Sequence, residues 1–103
     1  MPDTNTDPRL LLLSPDDNVV VLRGAIAGGE QIMLGGANIK IEKHIGLGHK
    51  LARHTISTGS KVLKYGAPIG SATTEINIGE HVHVHNMKSD YTPTYVLENE
   101  GQD

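Results

Sequence analysis

Gly79-Glu80-His81-Val82-His83-Val84-His85-Asn86-Met87-Lys88 places three of the chain's six histidines within five residues and alternates them with valine. Alternation of polar with β-branched residues predicts a strand. In that strand Val82 and Val84 face the core, and His81, His83 and His85 share the opposite face. Same-face neighbours lie roughly 6.6–7 Å apart, from a rise of about 3.3 Å per residue. A metal–nitrogen bond is about 2.0–2.1 Å long, so imidazoles at i and i+2 can tilt toward one ion. His81 and His85, about 13 Å apart at Cα, are too far apart to share it easily. One adjacent pair, with His83 and His85 preferred, is therefore the candidate ligand pair for a divalent metal or an acidic substrate. The alternative is a solvated polar face, because two ligands do not complete a site.

Upstream of this stretch a second pattern recurs. Ile-x-x-Gly-x-x-(Ile/Leu/Val) occurs four times, at Ile26/Gly29/Ile32, Ile45/Gly48/Leu51, Ile56/Gly59/Val62 and Ile76/Gly79/Val82. Each copy reads as one device. An apolar residue anchors the start of a turn, glycine supplies a positive φ, and the chain enters a strand on the second apolar anchor. The glycines are separated by 19, 11 and 20 residues. A stacked solenoid needs a fixed period, so the pattern is recurring turn chemistry. Arg9 to Leu13, Val19 to Leu22, Asn38 to Ile41 and Lys61 to Tyr65 also read as strands. Val19 to Leu22 is apolar throughout, which fits burial on both faces. Tyr65-Gly66-Ala67-Pro68-Ile69-Gly70 reads as a bend, either a corner between sheets or a loop whose amides approach a ligand, since proline removes a ladder donor.

Composition sets limits. A chain of 103 residues is one domain with a modest core. With three Tyr and no Phe or Trp, that core is aliphatic, which favours strands. Twelve glycines and five prolines require many tight turns. The net charge of −3 gives no basic field for nucleic acid. Without cysteine there is neither disulfide nor thiolate chemistry, as expected in the cytoplasm. Leu10 to Leu13 is too short for a signal-peptide core or a membrane span. The predicted class is all-β with short helical turns. Residues 1–14 form an N-terminal segment and first strand, 15–88 the domain, and 89–103 an acidic tail. That tail is either disordered or an arm that docks through Tyr91, Tyr95, Val96 and Leu97.

Among the remaining histidines, His44, His49 and His54 are five apart, a spacing that fits neither a helix face nor a strand face. His49 follows the flexible turn at Gly48 and is placed for proton transfer; a plain surface histidine is the alternative. Phosphate-binding glycine loops, HExxH and nucleophile elbows are absent. Lys50, Arg53, Lys64 and Lys88 are cations available to a carboxylate.

Three units taken together carry a resemblance: Gly48-His49-Lys50, then Lys64-Tyr65-Gly66-Ala67-Pro68-Ile69-Gly70 with Ala72, then Gly79-Glu80-x-Val82-His83-x-His85-Asn86. In this order they resemble the SAF-type domain of the altronate/galactarate dehydratase family, over about Pro15 to Lys88. In that family the domain is an N-terminal module or a separate small subunit, as in the sulfolactate sulfo-lyase alpha chain. His81 departs from the family, which often has an aromatic such as Trp there, so no role is carried over to it.

The resemblance implies a β-clip fold and a lyase. The reaction implied is dehydration of a sugar acid such as altronate or galactarate, or elimination of sulfite from sulfolactate. It implies a divalent metal, Fe2+ or Mg2+, whose site a large catalytic partner subunit completes; oligomers are compatible with it. Carried over residue by residue, His49 is the catalytic proton-transfer group and His83 and His85 are metal ligands. Asn86 contacts substrate, and Lys88 pairs with its carboxylate. The mechanism implied is abstraction of the proton α to the carboxylate, metal stabilisation of the enediolate, and departure of the β-substituent. A non-catalytic module that binds a sugar acid or metal is the competing reading, and a purely structural β-clip the third.

Overall fold

In a computed structural model describing residues 5–89, the four Ile-x-x-Gly-x-x copies adopt one backbone conformation. Gly29, Gly48, Gly59 and Gly79 have φ between 84° and 93°, the left-handed value that the third position of a type II turn requires. Each turn closes through one amide: Glu30 N to Ala27 O, His49 N to Gly46 O, Ser60 N to Ser57 O, and Glu80 N to Asn77 O. The anchors pair across the chain. Ile26 and Ile45 exchange both backbone hydrogen bonds, as do Ile56 and Ile76. Gly29 lies thirty residues before Gly59, and Gly48 thirty-one before Gly79. The four turns are thus two pairs, and the described residues contain two similar halves offset by about thirty residues. Adjacent glycine spacings alternate and hide this.

The described residues form nine strands. They are β1 (Leu10–Leu11), β2 (Val19–Leu22), β3 (Gln31–Leu34), β4 (Ala37–Lys40), β5 (Lys50–Ala52), β6 (Lys61–Lys64), β7 (Ala67–Ala72), β8 (His81–Val82) and β9 (Met87–Lys88). Every pairing is antiparallel. A central sheet runs β1-β2-β5-β8, flanked by the β3-β4 hairpin and the β6-β7-β9 sheet. None of the described residues is helical, so the short helical turns expected from the sequence give way to glycine-centred β-turns.

The central sheet separates two aliphatic clusters. Strand alternation sends consecutive residues to opposite faces. Val20, Leu22 and Leu51 join Ile26, Ile32, Leu34 and Ile45 on one side. Val19, Ala52 and Val82 join Ile56, Val62, Ala72 and Ile76 on the other. This is why β2 reads as an unbroken apolar run. All eight anchors of the four turns are buried.

The two halves end in similar hairpin tips. Gly35 and Gly36, and likewise Tyr65 and Gly66, all have positive φ, the signature of type I′ turns. Both tips offer two outward amides, and both are captured. Thr6 Oγ1 accepts from Gly35 N, and Asn5 O from Gly36 N. The buried Asp17 carboxylate accepts from Tyr65 N at 2.9 Å and Gly66 N at 2.7 Å. At the N-terminal end, Arg9 bridges Asp7 and Glu30, and so ties residues 7–9 to the first turn.

Several expectations are corrected. The first strand is Leu10–Leu11 rather than the whole of Arg9 to Leu13. The stretch around Pro68 is strand β7, not a bend. It tolerates proline through a register shift between Val62 and Leu63 opposite Pro68. The shift frees the Leu63 amide, which donates to Asn18 Oδ1 at 2.8 Å, while Asn18 Nδ2 donates to Lys61 O. The histidine stretch is not one strand. β8 ends at Val82, residues 83–86 turn, and β9 begins at Met87. Val84 therefore stands 77% exposed instead of facing the core, while Val82 is buried as expected. The readings placed on Tyr91, Tyr95, Val96 and Leu97 lie outside the described residues. Among those described, no helix is long and apolar enough to cross a membrane.

Candidate metal centre

Two turns of different halves meet at the end of the central sheet. The second Ile-x-x-Gly turn delivers His49 immediately before β5. The fourth delivers His81 as the first residue of β8. These strands pair with Leu51 opposite His81 and Lys50 opposite Val82. His49 Nδ1 lies 2.9 Å from His81 Nε2, one nitrogen donating and the other accepting according to tautomer. The turn after Val82 then folds His83 back, with its ring stacked on that of His81 at 5.5 Å and 8°. His49 and His83 rings are 5.1 Å apart.

One nitrogen from each of His49, His81 and His83 lies within 4.8 Å of the other two. A tetrahedral ion with bonds of about 2.0–2.1 Å holds its donor atoms roughly 3.3 Å apart, so small ring rotations bring the three onto one ion. The protonation state of His81 suits this. Burial, then the neighbouring His49, His83, His85 and Lys50, push the His81 imidazole down to about 4. At neutral pH its ring is uncharged, as metal ligation requires. Lys50, half-buried beside the cluster, is also pushed down, by burial and then by Lys64.

The turn that carries His83 is held by Asn86. This residue is buried among exposed neighbours. Its Oδ1 accepts from His83 N at 3.0 Å, and its Nδ2 donates to His81 O at 2.9 Å. Its own amide donates to His83 O.

The residues singled out in the sequence are thus redistributed. His83 stands in the three-imidazole group. His49 joins it. His85 lies outside the three, its ring 5.6 Å from that of His81. Asn86 directs its side chain to the backbone. Lys88 is exposed on β9, opposite Ser71. His81 was given no role, yet it is central, touching the rings of His49, His83 and His85. A cleft of about 1020 Å³ opens beside the cluster, lined by Ile39, Glu42, His44, Glu75, His81 and His85 among others.

Residues 8–90 match the family model of the altronate/galactarate dehydratase SAF domain. The chain belongs to that family. Its all-β architecture is the one the SAF β-clip leads one to expect. The SAF chain is 39% identical to altronate dehydratase of Bacillus subtilis over 87 residues, and 37% identical to altronate dehydratase of Escherichia coli over 73. These alignments cover 77% and 71% of this chain but only 18% and 15% of the relatives. The chain thus spans less than a fifth of the length of those dehydratases. It is also 37% identical to the (2R)-sulfolactate sulfo-lyase subunit alpha of Chromohalobacter salexigens over 78 residues. That alignment covers 69% of this chain and 81% of the subunit.

Proposed function

We propose that this chain is the small, SAF-type part of a metal-dependent lyase. The reaction is loss of water from a sugar acid such as altronate or galactarate, or of sulfite from sulfolactate. The observation that carries the reading is the convergence of His49, His81 and His83 in a chain of this family. The substrate class follows from the names of the relatives.

The three imidazoles hold the ion. Imidazole nitrogen suits iron better than magnesium, so of the two metals that the resemblance implies Fe2+ fits the three rings. When bound, it supplies Lewis-acid stabilisation of charge developing on substrate oxygens. His49 then serves as a ligand, and His85, next to His81 on the cleft wall, moves a proton to or from the bound substrate. The Lys88 ammonium meets the substrate carboxylate. Asn86 orders the turn that presents His83.

The partner is a large catalytic subunit, equivalent to the four fifths of the altronate dehydratases that this chain does not match. Two features favour its docking over the histidine face. Three protein ligands leave coordination positions open. Leu47 and Val84, 69% and 77% exposed, stand on the two turns that carry His49 and His83. Exposed aliphatic side chains beside a half-buried polar cluster suit an interface that closes on it and excludes water.

The test is to co-express the chain with the large lyase chain encoded in the same genome, load Fe2+, and assay altronate, galactarate and sulfolactate. Turnover on one of them, lost on chelation and restored by Fe2+, is expected. No turnover on any, or turnover untouched by His83→Ala with His81→Ala, rejects the reading.

A further inference from the structure

Asn86 stands out among the residues around the histidines. It is a polar side chain, 6% exposed, in a turn where Val84 and His85 are exposed. A buried amide persists only where its hydrogen bonds are made. Here both ends of the side chain close onto the backbone of two of the three converging histidines. Both reach back along the chain: Oδ1 accepts from His83 N, and Nδ2 donates to His81 O. The third contact, from Asn86 N to His83 O, closes the same turn from the main chain.

The consequence for the rings is geometric. Were the strand to run on from Val82, the Cα atoms of His81 and His83 would be about 6.6–7 Å apart with their side chains roughly parallel. Because Asn86 ties His81 O to His83 N through one planar amide, the two peptide units are held in a fixed relation. The rings stack at 5.5 Å with planes only 8° apart. His49 approaches from the other turn and meets both rings at 4.9 and 5.1 Å.

We infer that Asn86 is a positioning residue for the metal site: its side-chain amide sets the spacing of the His81 and His83 nitrogens and thereby the affinity of the site. This rests on the metal-binding reading above. The Asn86 side chain bridges the backbones of two of the three histidines. Ala at 86 keeps the main-chain bond from residue 86 N to His83 O, so the turn persists but His81 and His83 lose their common brace. Asp at 86 retains the acceptor for His83 N and loses the donor to His81 O, so it restores one arm of two.

The experiment titrates the full chain with Co2+, whose visible spectrum reports coordination number and geometry, and compares wild type with Asn86→Ala and Asn86→Asp. Outer groups that orient metal ligands typically contribute about 10–100-fold in affinity. Asn86→Ala is expected to weaken Co2+ binding by that factor and to change the spectrum. Asn86→Asp is expected to fall between Asn86→Ala and wild type. Amide exchange in the β3-β4 hairpin should be the same in all three. Equal affinity and an unchanged spectrum in Asn86→Ala overturn the inference. A second measurement needs no metal: ring-to-ring proton contacts between His81 and His83 by NMR should disappear in Asn86→Ala. If they persist, the inference fails whether or not the chain binds Co2+. If they disappear and wild type does not bind Co2+, the positioning role stands and the metal reading falls.

Discussion

His49 Nδ1 and His81 Nε2 lie 2.9 Å apart although 32 residues separate them in the chain. The contact exists because His49 and Glu80 occupy equivalent places at the ends of the second and fourth Ile-x-x-Gly turns, and β5 pairs with β8 just beyond. The site is a product of the internal symmetry of the fold, with one half contributing His49 and the other His81 and His83.

Metal binding should follow the three-imidazole group rather than the run of adjacent histidines. His49→Ala, His81→Ala and His83→Ala are each expected to lower Co2+ or Fe2+ affinity by about 100-fold or more, because two nitrogens remain where three converged. His85→Ala should change it by less than about tenfold. Isothermal titration of the full chain and its variants checks this.

Acid should destabilise the metal-free chain through His81. Its folded pKa of about 4 lies below the ordinary 6.5, so between those values the unfolded state binds more protons than the folded one. Stability then rises with pH across that window. The contribution is complete above about pH 6.5 and is lost progressively as pH falls toward 4. His81→Gln removes the titration, and its melting temperature should fall less than that of wild type over the same range.

Asp17→Ala should cost about 3 kcal/mol, measured by urea unfolding. It leaves the amides of Tyr65 and Gly66 without their carboxylate partner at a buried position. Asp17→Asn should cost less, since its single carbonyl oxygen still accepts one of the two bonds.

Gly79→Ala is expected to destabilise by about 2–4 kcal/mol. Its φ of +84° disfavours any Cβ, and the new methyl would collide with the Ile39 side chain. Gly59→Ala, at the same φ with open space around it, should cost only about 1 kcal/mol. The difference between the two measures the Ile39 contact.

Leu47→Asp and Val84→Asp should leave the melting temperature unchanged, because both side chains are exposed. Each should weaken association with the proposed large lyase chain by about 1–2 kcal/mol, read by surface plasmon resonance. Unaltered association would place the interface elsewhere.

Much of the fold was legible in one dimension. Val19–Leu22 is a strand with the bounds its apolar run suggested, and all four predicted turns form around their glycines. Both follow from local chemistry: a Cβ-free residue at positive φ, and a period of two. Pro68 misled because the device that admits it is the Leu63 amide bonded to Asn18, a residue 45 positions from Leu63. His81 was missed for a similar reason. Alternation with valine implied continued extension, whereas the buried Asn86 amide turns the chain after Val82.

By itself, then, the order of residues determined the class of fold, the turns, the apolar anchors and the family, since each depends on side-chain type and short-range spacing. Which imidazoles converge was decided only in three dimensions. That choice depends on the pairing of β5 with β8 and on a buried amide bonding two backbone groups, and neither leaves a trace in the spacing of the histidines.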